Sequence, residues 1–237
     1  NVGTTTIKAS FEGDNTYKPS NASFTLTVTN APYTSIAAML TDITATRTTV
    51  TYQFENLLVT YVQGSNTFVS DGTNGFLFYG SNLGLNAGEK ITGTATGQLY
   101  AYNGRPEMAV NADGINAQVT STDNEVTWAT IAADALANNI NVPVIIENAM
   151  FVGANGKNLS FKVGETELAV YNNWSIDVTA HETDKSYTLT GIGSIYAKGE
   201  TTTYQLYLVS FDEYVEPVWA WADIFADFTD QSFFTEA

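Results

Sequence analysis

A chain of 237 residues with 9 Lys and Arg against 25 Asp and Glu has a formal charge of −16 at neutral pH, so its long-range field repels a phosphate backbone or an anionic membrane surface. It has no cysteine, which removes disulfides, thiolate metal sites and cysteine nucleophiles. The length suits two domains plus fragments, and no apolar run approaches the roughly 18 residues of a membrane-spanning helix. Abundant Thr, Asn, Ser and aromatic residues with only 14% charged residues lead us to expect an extracellular or cell-surface all-β protein.

Residues 4–10 and 22–29 alternate at period two, as half-buried strands do, and bracket a turn-rich Phe11–Ser20. The run Thr6-Ile-Lys-Ala-Ser-Phe-Glu-Gly-Asp-Asn-Thr-Tyr17, followed by Ala22-Ser-Phe-Thr-Leu-Thr-Val28, resembles the closing hairpin of bacterial Ig-like repeats found in surface and adhesion proteins. This resemblance implies that residues 1–30 are the C-terminal part of an Ig-like domain. Two strands cannot bury a core alone, so the chain is expected to begin inside a domain, with its native N-terminus elsewhere.

Asn30-Ala31-Pro32 reads as a linker, and residues 34–42 as a short helix or strand entering the next module. Thr49–Gln63 is a long strand, Gly64-Ser65-Asn66 a turn, and residues 67–79 a hairpin folded at Asp71-Gly72-Thr73-Asn74-Gly75. Residues 91–102 form another strand, which Asn103-Gly104 turns into Pro106–Val110. The order then recurs. Phe54-Glu55-Asn56-Leu57-Leu58-Val59 matches Ile146-Glu147-Asn148-Ala149-Met150-Phe151, and Thr94–Ala101 matches Thr190–Ala197, a duplication of about 90 residues. Residues 128–139 are the clearest helix-like stretch.

The long first strand, the Gly-rich hairpin and the Gly88-Glu89-Lys90-Ile91-Thr92-Gly93-Thr94 strand resemble OB-fold modules of Bacteroidetes surface lipoproteins. The resemblance implies OB-like barrels at residues 31–125 and 126–215, a fold that binds oligonucleotides or oligosaccharides. Residues 216–237 form an aromatic C-terminal segment, expected to dock on the second barrel, begin a further module or engage a partner.

No residues compose a catalytic site. His181 is the only histidine and stands in a polar stretch, without the partners a triad requires. Glu55 and Glu147 occupy equivalent repeat positions in different barrels, which suits a bend better than a catalytic carboxylate pair. No metal site or cofactor is expected beyond weak surface calcium, since Asp71–Gly75 reads as a tight turn. The candidate ligand-binding residues are aromatic and amide: Tyr100, Tyr102, Asn103 and Arg105 on one hairpin, Tyr196 at the matching place in the second module, and Trp174 on a separate loop. Expected partners are a glycan or a surface protein, with no nucleic acid and no membrane insertion. The alternatives are a spacer array, a nucleic-acid-binding OB pair, or an accessory region of a larger surface enzyme.

Overall fold

The computed structural model describes residues 3–28 and 30–216. The aromatic C-terminal segment expected over residues 217–237 therefore lies outside the described residues. Strands account for 58% and helices for 8%, which makes the chain all-β.

Strands β1 (Gly3–Phe11) and β2 (Ser20–Val28) pair antiparallel. Asp14 closes their turn, its Oδ1 accepting the backbone N–H groups of Thr16 and Tyr17 at 2.8 and 2.7 Å. The register sets Ile7 opposite Phe24, so Ile7, Phe11, Phe24, Leu26 and Val28 share one face. That face is exposed along its length.

A short helix α1 (Ile36–Asp42), capped by the Ser35 hydroxyl accepting from the Ala38 N–H, leads into the first barrel and buries Ile36 and Met39 in its core. The barrel strands are β3 (Thr48–Gln63), β4 (Asn66–Ser70), β5 (Gly75–Tyr79), β6 (Lys90–Tyr102) and β7 (Arg105–Ala109). They close in the order β3-β4-β5-β7-β6 and back to β3, with β5 and β7 parallel, while β8 (Ile115–Ser121) adds to β6 from outside. After the two-residue β9 (Ala129–Thr130), the strands β10 (Pro143–Asn155), β11 (Asn158–Val163), β12 (Thr166–Tyr171), β13 (Ser186–Lys198) and β14 (Thr201–Glu213) repeat that closure, again with one parallel pair, β12 and β14. The two are tandem five-stranded, OB-like barrels.

The repeated Glu-Asn is a β-bulge in each barrel. The register slips between Phe54 and Leu57 and between Ile146 and Ala149, and Asn56 and Asn148 both adopt φ 51°. Asparagine tolerates this left-handed conformation better than most residues. Both bulges bend the long first strand so that it can pair on two sides of a closed barrel. Of the helix-like stretch at 128–139, only Ala133–Asn138 is helical, as a 3₁₀ segment; Trp128 precedes it and packs elsewhere.

That place is the seam between the barrels. On β4 and β5, Val69, Phe76 and Phe78 point into the first core, whereas Phe68 and Leu77 point outward and are fully buried against Ile192 of the second barrel. Tyr61, Trp128, Trp174, Tyr207 and Val209 surround them. We expect Phe68→Ala to cost about 3–5 kcal/mol and to fall mainly on the seam. Calorimetry should then show one unfolding transition for the parent and two for the variant; a single transition of unchanged midpoint in the variant would show that the barrels are not coupled there.

Candidate functional site

A cleft of about 850 Å³ opens beside the seam, lined by both barrels. Its first wall comes from the β6–β7 hairpin. Asn103 and Gly104 form a two-residue turn with φ of 48° and 86°, the left-handed pair that such hairpins require. The register sets Tyr100 opposite Glu107 and Tyr102 opposite Arg105. Period-two alternation therefore brings these four side chains to one face, while Leu99 and Met108 turn into the core. The pairing of Thr48 with Leu99 delivers Arg47, just before β3, beside Tyr100.

These groups form a connected polar chain. Arg47 donates to the Gln98 Oε1 at 3.2 Å and to the Tyr100 hydroxyl at 3.0 Å, and its guanidinium lies 4.2 Å from the Tyr100 ring centroid. The Tyr100 hydroxyl donates to Glu107 Oε1 at 2.6 Å, and Glu107 Oε2 pairs with Arg105 at 2.8 Å. The Arg105 guanidinium stands 5.2 Å from the Tyr207 ring of the second barrel. Tyr100, Arg105 and Glu107 are only 5%, 6% and 1% exposed, so they form the body of the wall.

The opposite wall follows the same logic. Tyr171 pairs in register with both Asn158 and Tyr207, and the Tyr171 and Tyr207 rings meet at 5.7 Å. Gln205 and Tyr196 extend this surface. Tyr102 and Tyr196 are 54% and 41% exposed, and with Tyr79 they offer open ring surface.

Five of the six expected residues, namely Tyr100, Tyr102, Asn103, Arg105 and Tyr196, thus line one cleft. They differ in what they can do. Tyr102, Asn103 and Tyr196 are accessible, whereas Tyr100 and Arg105 are committed to internal partners and hold the wall in place. Trp174 stands apart: it packs on Tyr61 at 5.2 Å and edge-on to Phe68 and Tyr207, and only its neighbour Asn173 reaches the cleft. Tyr207 and Asn173 carried a weak signal as aromatic and amide residues of the second module. Arg47 and Glu107 were missed. A usable signal for Arg47 was present, because the chain has only two arginines, Arg47 and Arg105, and both line the cleft.

The other sequence candidates take structural positions. His181 stacks on Phe211 at 3.9 Å between centroids and its Nε2 bonds the Phe211 carbonyl. Glu55 and Glu147 are exposed at the bulges of separate barrels. Asp71 accepts the Thr73 and Asn74 N–H groups at 3.0 and 2.7 Å, as an ordinary Asx turn does.

No family model matches the chain, and no curated protein matches it. Among solved structures, a murine DNA-binding protein bound with double-stranded DNA aligns at 13% identity over 71% of this chain and 99% of that one, with a TM-score of 0.36. A likeness of that size carries no functional argument.

Burial, the hydrogen bond to Glu107 and the charge of Glu107, opposed by Arg47, push the Tyr100 hydroxyl up to about 12, and burial followed by Asp71 does the same for Tyr52. Both values lie above the ordinary 10.0. The stability they contribute is therefore fully present below pH about 10 and is lost as pH rises toward the folded-state values. We expect ultraviolet titration to show these two phenols among the last to ionise. Tyr100→Phe should remove one late-ionising group and destabilise the fold at neutral pH by about 1–3 kcal/mol, because Glu107 loses a buried donor; an unchanged titration would contradict the observed chain of contacts.

Proposed function

We propose that this chain is a non-catalytic, glycan-binding pair of OB-like barrels within an extracellular or cell-surface protein, and that the glycan lies in the cleft between them. One observation carries the reading: six of the thirteen tyrosines of the chain, namely Tyr79, Tyr100, Tyr102, Tyr171, Tyr196 and Tyr207, converge on a single cleft rimmed by Asn66, Asn103, Asn158, Asn173 and Gln205. Sugar rings present apolar C–H faces that stack on aromatic rings, and their hydroxyls exchange hydrogen bonds with amides, which both donate and accept. The volume falls within the range of sites that enclose small ligands.

The alternative, a nucleic-acid-binding OB pair, meets two obstacles. The charge of −16 opposes a ligand with one phosphate per nucleotide. In addition, OB barrels bind oligonucleotides on the face of their second and third strands. In the first barrel those strands are β4 and β5; of their outward residues, Phe68 and Leu77 are buried against Ile192, which leaves only the end of that face, Asn66 and Tyr79, at the cleft.

The test is a broad glycan array probed with the purified chain and with Tyr102→Ala and Tyr196→Ala, which alter exposed rings on opposite walls. We expect a reproducible set of oligosaccharides whose binding falls at least roughly tenfold in each variant, in line with the loss of an aromatic stacking contact, while melting temperatures stay close to that of the parent. A blank array, or hits indifferent to both substitutions, would remove the proposal and favour a spacer or protein-docking role.

A further inference from the structure

The cleft sits in an acidic protein, yet three charged side chains line it: Arg47, Arg105 and Glu107. Their charges are not equally available. Arg105 and Glu107 are buried and paired at 2.8 Å, and the two Glu107 oxygens are taken by Tyr100 and Arg105, so this pair presents no net charge to a ligand. Arg47 is different. It is exposed, and among the described residues its guanidinium has no carboxylate within ion-pair distance, the ion pairs there being Arg105–Glu107 and Lys185–Glu182. Asp113 lines an adjoining groove that Arg47 also borders, without pairing to it.

Arg47 is also held in a fixed pose. Its guanidinium carbon lies 4.2 Å from the Tyr100 ring centroid, and its bonds to Gln98 and Tyr100 engage two of the five N–H donors of an arginine. The others remain in the guanidinium plane, the geometry that receives a planar carboxylate through paired hydrogen bonds. The Tyr100 hydroxyl accepts from Arg47 and donates to Glu107, so the buried carboxylate braces the arginine through the phenol. This anchors a cation without neutralising it at contact distance.

We propose that the cleft selects a glycan bearing one carboxylate, as a uronic acid does, and that Arg47 binds this group. The inference rests on the glycan reading above and sharpens it. A single uncompensated cation matches a single anionic group; it does not match a polyanion, whose further charges would meet the acidic surface of the chain.

The experiment uses oligosaccharides that each contain one uronic acid and the same oligosaccharides after chemical reduction of the carboxyl to the alcohol, titrated calorimetrically against the intact chain. The carboxylated form should bind about tenfold more tightly, the scale of a charge-assisted hydrogen-bonded pair, and this preference should shrink as salt rises. Arg47→Gln should bring the carboxylated form down to the affinity of the reduced form and leave the latter unchanged, while Arg47→Lys retains part of the preference. Equal affinity for the two forms, or an Arg47→Gln variant that weakens both alike, overturns the role of Arg47 but leaves the glycan reading standing if Tyr102→Ala still abolishes binding. Failure of charged and neutral sugars alike removes both proposals, and tight binding of oligothymidylate in their place assigns the cleft to single-stranded nucleic acid. Melting curves of the Arg47 variants separate any of these results from misfolding.

Discussion

The cleft depends on two barrels meeting backbone to backbone, with too little room for either to slide. The Ala197 N–H donates to the Asn103 carbonyl at 2.6 Å, and Asn141 Nδ2 donates to the Pro106 carbonyl at 2.9 Å. A Cβ at Gly104 would lie 2.9 Å from that of Ala197, and one at Gly75 would lie 2.4 Å from the Asn141 carbonyl oxygen. Apolar burial of Phe68, Leu77 and Ile192 holds the barrels together without direction, whereas these close contacts fix their register. Contacts this close resist continuous deformation and set the spacing of the two walls.

Within that frame, Glu107 is the residue whose placement needs the most support. A carboxylate that is 1% exposed loses its hydration, and the Arg105 pair and the Tyr100 hydroxyl replace it. Buried ion pairs of this kind contribute little net stability compared with an apolar core. Their effect here is positional: Glu107 fixes Tyr100, Tyr100 fixes Arg47, and Arg105 reaches the Tyr207 ring across the cleft. The polar chain therefore ties the wall of one barrel to that of the other.

Much of the fold was legible because period and turn chemistry are local. Alternation gave the hairpin at residues 3–28, Asn103-Gly104 announced its turn, and the repeated Glu-Asn marked the same bulge twice. The unbroken apolar run Phe76-Leu77-Phe78 also carried more than a strand, since residues buried on both faces imply a second packing partner; here that partner is the other barrel. The OB-like closure with its parallel strand pair depends on contacts between distant segments, and periodicity contains no record of them. For the same reason Trp174 reads in sequence as an open loop residue but packs in the seam: a loop tryptophan looks the same whether water or a neighbouring barrel covers it. Arg47 stands about fifty positions from Tyr100, and only the β3–β6 register makes them neighbours. The sequence contributed the rarity of arginine, and the register gave that rarity a location.

The site is asymmetric because the two barrels carry different residues at matching positions. Tyr100 and Tyr196 hold matching positions in the repeats, yet the register sets Tyr100 opposite Glu107 and Tyr196 opposite Thr203. Arg105, opposite Tyr102, likewise has Thr201, opposite Lys198, as its counterpart. A carboxylate and a guanidinium in one copy draw its tyrosine into a buried network; threonines in the other leave the equivalent ring 41% exposed. Matching positions thus form a brace in the first barrel and an open face in the second. The brace also confines positive charge to one wall. With a Debye length of about 8 Å at physiological salt, the distant carboxylates of the chain are largely screened from a group held at Arg47, while an extended polyanion would leave that small region and meet them. An acidic protein can in this way accept one negative charge at a chosen point and still exclude a chain of them.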